Sequence, residues 1–156
     1  MRRVLLFVLL VAALATLAAS AGATSARASA FGCVHVTQLL PENEVRPPDT
    51  TDPVSSVARG VAVVIVRGGT IQWHVVIVNL ARETFVAGHI HDAPAGVNSG
   101  VVQPLFAGSA SGIVLRDSGS VSNPSLADAV CANPAGYYVN YHTTADPQGA
   151  VRGQLG

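Results

Sequence analysis

Two of the five histidines, His89 and His91, stand two residues apart in Gly88-His89-Ile90-His91-Asp92, directly after the run Thr84-Phe85-Val86-Ala87 and before a loop rich in Gly, Pro, Asn and Asp. Residues i and i+2 of a strand project from one face. Both imidazoles are therefore expected to point the same way at a strand end, with Ile90 turned to the other side. A third histidine, His142, ends the run Tyr137-Tyr138-Val139-Asn140-Tyr141. Imidazole suits copper and zinc, and such ions take about three to four converging ligands. If the His142 strand lies antiparallel to the His89 strand, cross-strand Cβ atoms about 5 Å apart leave room for a shared ion. His89, His91 and His142 are the candidate metal ligands, with His74, Asp92 or water as a fourth. The competing reading is a set of loop fasteners, with His89 donating to a loop carbonyl and His91 and His142 bonding Asp92, Asn98 or Thr143.

The elements that must position these residues read as β-strands. Strands are expected over residues 34–40, 60–67, 70–80, 85–91, 100–106, 137–142 and 150–155, with 111–120 ambiguous because small and apolar residues alternate there. Gly68-Gly69 is a tight hairpin turn, and Asp146-Pro147-Gln148-Gly149 separates the last two strands. Residues 42–49 hold Pro47 and Pro48, which exclude helix and central strand. Residues 125–130 are the one expected helix, about one and a half turns, capped by Asn123 or Ser125. Trp73, Val75 and Ile77 share one face of their strand, opposite Gln72, His74, Val76 and Val78, whereas residues 61–66 are apolar on both faces. Short strands with turn signals between them predict an all-β, single-domain sandwich or barrel around one core.

Residues 1–28 read as a secretory signal peptide: Arg2 and Arg3, an uncharged apolar run over 4–17, and a small-x-small pattern at Ala26-Arg27-Ala28 or Ala28-Ser29-Ala30. The apolar run is short for a membrane span and no positive cluster closes it. The domain is then expected over residues 33–156, secreted or extracytoplasmic, with no membrane span after cleavage. Nine acids balance nine arginines and there is no lysine, so no basic stripe marks a nucleic-acid partner. In an exported chain the isolated pair Cys33 and Cys131 reads as a disulfide, a closure contributing about 4 to 5 kcal/mol in the chain-entropy model. A thiol ligand or nucleophile fits such a distant pair poorly. No nucleophile elbow, paired carboxylates or phosphate-cradling loop is present, so no catalytic residue is assigned.

Four motifs together carry a family resemblance. They are Glu44-Val45-x-Pro47-Pro48; Gly88-His89-Ile90-His91 with Gly96-x-Asn98-x-Gly100-Val101-Val102; Tyr138-Val139-Asn140-x-His142-Thr143; and Pro147-x-Gly149-x-Val151-Arg152-Gly153-Gln154-Leu155. In this order they resemble the CHRD (chordin-type) domain, from about residue 34 to the C-terminus. The resemblance implies an extracytoplasmic antiparallel Greek-key β-sandwich of immunoglobulin-like or Cu,Zn superoxide dismutase-like architecture. It implies an activity far less firmly, because fold does not fix function. Asp92 and Ala93 depart from the small, Gly-rich residues usual after the histidine pair, and His74 from an aromatic or apolar one. The His-x-His pair is similar in architecture to the copper site of superoxide dismutase, without implying homology.

Glu44 and Arg152 both lie in these motifs. The expectation is a buried Arg152 fork pairing with Glu44, Asp146 or the C-terminal carboxylate, against a plain surface charge. His35 is expected beside the disulfide, without a role. The function read first is a non-catalytic binding module for an extracytoplasmic protein, matrix or cell-surface partner, engaged through loops flanking residues 89–100. The alternative is a copper or zinc protein using His89, His91 and His142, with redox activity as its extension.

Overall fold

The computed structural model describes residues 32–46 and 52–156. The expected signal peptide and the Pro47-Pro48 part of the first motif lie outside the described residues. Eight strands form two four-stranded antiparallel sheets. The first contains β1 (Cys33–Leu39), β2 (Arg59–Arg67), β3 (Thr70–Val78) and β6 (Val114–Ser122), in that order. The second runs β5 (Val101–Ala110), β4 (Phe85–His91), β7 (Tyr138–Thr143) and β8 (Val151–Gln154). The β4–β5 hairpin belongs to the other sheet, so β6 returns to lie beside β3, a connection of the Greek-key kind. The expected all-β sandwich is the fold.

Local chemistry accounts for the elements. Gly68 and Gly69 both take positive φ, +57° and +76°, which a two-residue turn twisting with its strands requires, and Arg67 pairs directly with Thr70. In β3 the alternation holds: Trp73, Val75 and Ile77 are buried and Gln72, His74, Val76 and Val78 are exposed. The ambiguous segment is β6. Leu115, Asp117 and Gly119 face inward there, and a Cβ on Gly119 would sit 2.3 Å from the Trp73 ring. A small residue was needed opposite a large one, which blurred the apolar alternation. Strand β5 runs four residues further than expected and includes Pro104, tolerated because β5 is an edge strand.

The helix α1 (Pro124–Ala132) is longer at both ends than the sequence suggested. Pro124 fits the first helical turn, where a missing N–H costs nothing, and the Asn123 side chain accepts from the Leu126 N–H at 3.2 Å. Ala127 and Val130, three apart, bury one face. Cys131 of α1 is bonded to Cys33 of β1 across 5.7 Å between Cα atoms. His35 Nε2 lies 3.1 Å from the Cys33 sulfur.

The core lies between the sheets, with Ala62, Val64, Ile71, Val75 and Ile77 on one side and Phe85, Ile90, Val139, Tyr141 and Val151 on the other. Asp117 ties the layers together by accepting from Trp73 Nε1 and the Tyr141 hydroxyl. Strand β4 is irregular. Its pairing with both β5 and β7 shifts between Phe85 and Ala87, so one residue is bulged out. Phe85, Gly88 and Ile90 all face the core, and a Cβ on Gly88 would come within 2.5 Å of the Tyr141 ring.

Candidate metal centre

The bulge leaves His89 and His91 on the outer face of the second sheet. Strand β7 is their antiparallel neighbour, as the shared-ion reading required: Ala87 pairs with His142, His89 with Asn140 and His91 with Tyr138. Tyr138, Asn140 and His142 alternate outward while Val139 and Tyr141 enter the core. The three histidines meet. One ligand nitrogen from each lies within 4.8 Å of the others.

The hydrogen bonds fix the protons. His142 Nδ1 faces the Pro147 carbonyl at 3.0 Å, and His91 Nδ1 faces the Ser99 carbonyl at 3.0 Å. A carbonyl only accepts, so both Nδ1 atoms carry the hydrogen and both Nε2 atoms keep a bare lone pair. His142 Nε2 lies 3.1 Å from His89 Nδ1 and accepts its hydrogen, so both nitrogens face an ion together only when that hydrogen moves to His89 Nε2. His91 Nε2 is buried without a hydrogen-bond partner. Nitrogens bound about 2.0–2.1 Å from one tetrahedral ion lie about 3.3 Å apart. The His89–His142 pair is already near that spacing, and a His91 nitrogen lies within 4.8 Å of both.

All three rings are held neutral. Burial lowers His89 to about 4, assisted by the adjacent His142 and His91. Burial lowers His91 as well, against its backbone hydrogen bonds to residues 99 and 100. His142 is also lowered by burial, with a smaller contribution from His91. Neutral imidazole is the ligating form. His89 and His142 stay partly exposed, so the cluster can be reached from solvent. Asp92 is exposed and outside the cluster, and His74 stands on the exposed outer face of the other sheet. Neither is the fourth ligand in this geometry. The fastener reading was right that the rings anchor loops but named the wrong acceptors: Ser99 and Pro147 carbonyls replace Asp92, Asn98 and Thr143.

A polar roof surrounds the site. The His91 ring stacks on Tyr138 at 4.6 Å between centroids, with the planes 2° apart. On the far side of Tyr138 the Arg152 guanidinium carbon sits 3.4 Å from the ring centroid. Arg152 is 1% exposed and donates to Asn98 Oδ1 at 3.0 Å and to the carbonyls of Pro94 at 3.1 Å and Val97 at 2.9 Å. The expected pairing with Glu44 or Asp146 is not made. Asp146 is bonded by Arg46 and by the Ser55 N–H and hydroxyl, and the loop carbonyls take the Arg152 fork. Glu44 instead accepts from Asn140 Nδ2 at 2.7 and 2.9 Å. Burial raises Glu44 to about 8, outweighing the pull of Arg152, Arg46 and Asn140.

Tyr138, Ser99 and Pro147 were not identified as site residues from the sequence. Tyr138 had a readable signal, since it lies four strand positions before His142 and so shares its face. The two carbonyl partners had none, because any residue type supplies a carbonyl.

No helix among the described residues is long and apolar enough to cross a membrane. The search of curated proteins and the search of solved structures each found no match. The CHRD domain family model matches residues 36–155, from β1 through the end of β8, and so includes all three histidines, Tyr138 and Arg152; this chain belongs to the CHRD domain family.

Proposed function

We propose that this protein binds one copper or zinc ion through His89, His91 and His142, in an extracytoplasmic compartment reached by way of the signal sequence over residues 1–28. The observation carrying the metal reading is the convergence of one ligand nitrogen from each of His89, His91 and His142 within 4.8 Å, with His91 Nε2 buried and without a hydrogen-bond partner. A buried polar atom left unpaired costs about 1–3 kcal/mol, and an ion bound there removes that penalty. An ion so held leaves a fourth position for a water or a small exchanging ligand. The Cys33–Cys131 bond and the family are both compatible with an oxidising, extracellular location.

The test is the metal content of the purified mature protein after exposure to Cu(II) or Zn(II) and extensive dialysis. One equivalent should be retained by the wild type and lost by folded His91→Ala and His142→Ala variants. A well-folded wild type that retains none sinks the proposal.

A second reading, a binding module for a protein or surface partner, is favoured by a different region. The outer face of the first sheet exposes Val34, Val36, Val61, Val76, Val78 and Val114. It differs from the metal reading in predicting partner capture that survives loss of the histidines.

A further inference from the structure

Behind the histidines lies a second layer whose chemistry bears on the ion they would hold. Arg152, Tyr138 and His91 form a continuous stack from a buried guanidinium to a metal-facing ring. The same guanidinium holds the carbonyls of Pro94 and Val97 and the Asn98 side chain, and this loop leads directly into Ser99, whose carbonyl orients His91. Arg152 therefore reaches His91 by two routes, through the ring and through the loop. Outer groups of this kind fix ligand orientation and tune the metal.

The charge is as informative as the geometry. Arg152 has no carboxylate partner among the described residues. The half-buried Glu44, the one acid whose charge acts on Arg152, is bonded to Asn140, and burial favours its neutral form, which weakens that coupling. Among the described residues no acidic side chain joins the histidine cluster; the exposed Asp92 acts on His91 in the opposite sense to Arg152, and more weakly. A fixed positive charge at short range in a poorly solvated setting disfavours a divalent ion more than a monovalent one. Three neutral imidazoles add no negative charge to offset it.

We propose that Arg152 is a positioning residue of the histidine site, and that its buried charge, relayed across Tyr138, makes the site favour monovalent over divalent copper. This rests on the metal reading above. The ligand class is the cuprous ion, and zinc, being divalent, is held less well than it would be without Arg152.

The experiment measures Cu(I) affinity, anaerobically by competition with bicinchoninate, and Cu(II) affinity by competition with glycine. Both are measured on the full mature chain and on Arg152→Gln, Arg152→Lys and Tyr138→Leu variants whose folding is checked by circular dichroism. Arg152→Gln should lower the Cu(I)-to-Cu(II) preference by about tenfold, the size expected of one charge acting from beyond the Tyr138 ring at an effective dielectric of about 20. For a one-electron couple that is about 59 mV. Arg152→Lys, which keeps the charge without the fork, should retain the preference while binding both ions more weakly. Tyr138→Leu, which removes the stacked ring between the guanidinium and His91, should weaken both ions and reduce the preference.

An Arg152→Gln variant that leaves the preference unchanged, or an Arg152→Lys variant that loses it equally, overturns the charge assignment. If neither Arg152 variant folds, Tyr138→Leu decides: an unchanged Cu(I)-to-Cu(II) preference overturns the relay. A wild type that binds no copper at all fails earlier, at the metal reading itself, and takes this inference with it.

Discussion

The two outer faces of the sandwich are built on opposite principles. On the first sheet, β1, β2, β3 and β6 present an exposed face of valines mixed with polar residues such as Gln72, His74 and Arg116; on the second, β4, β7 and β8 present histidines, Tyr138, Asn140 and Arg152 beneath a roof of loops. The bare face is rich in valine yet exposed. The covered face is polar yet largely buried: Asn140 is 3% exposed and Arg152 1%. A β-sandwich needs only its inner faces to be apolar, so a buried polar layer outside the core is not demanded by folding. Such a layer is stable only when its groups are satisfied, and here nearly all are. The atoms left over, His91 Nε2 and Asn140 Oδ1 among them, mark where the covered face does something other than hold itself together.

The contrast can be broken in several ways. Replacing both Cys33 and Cys131 by Ser should have the largest effect, a loss of about 4 kcal/mol in chemical denaturation, because the bond ties the edge strand β1 to α1. A loss below about 1 kcal/mol would mean that β1 is held by its pairing alone. Arg152→Met should cost roughly 3 kcal/mol by the same assay, since it leaves buried loop acceptors without their donor. A near-neutral result would show that loop packing, not the fork, closes the roof.

Glu44→Gln tests the roof through pH. The folded carboxyl titrates near 8 and the unfolded one near 4.5, so between those values the folded state binds more protons. Stability from this group is full below pH 4.5 and is lost as pH rises through 8. The variant should therefore show a flatter decline in Tm from pH 4.5 to 8 than the wild type, and parallel curves would refute the assignment. The smallest effect belongs to the bare face. Val36→Thr with Val61→Thr should change stability by no more than about 0.5 kcal/mol. A larger, concentration-dependent loss would reveal that this face is covered in solution.

The sequence carried the inner faces well, and the covered face only in part. Alternation at Trp73, Val75 and Ile77 was legible because period-two burial leaves a direct trace. His89 and His91 on one face, with Ile90 opposite, was legible for the same reason, and His142 joined them once β7 paired with β4. The Arg152 fork was misassigned to an acid. Opposite charges in two motifs suggest a pair, but the acceptors it uses are main-chain carbonyls of residues 94 and 97, which have no residue signature. The stack of Arg152, Tyr138 and His91 depends on cross-strand register, which no single segment encodes.

The irregularity between Phe85 and Ala87 has a consequence for how this surface tolerates change. Side chains on a strand follow strict parity, so a straight β4 with Phe85 in the core would also send Ala87, His89 and His91 inward. The extra residue resets that parity, letting one strand serve an oily interior at its start and two of the three clustered imidazoles outside at its end. Substituting Val86 should matter little, because the offset is one of count and not of chemistry. Deleting it would be another matter. Either Phe85 would swing into water or the histidines would swing into oil, and no compensating side chain elsewhere would restore both.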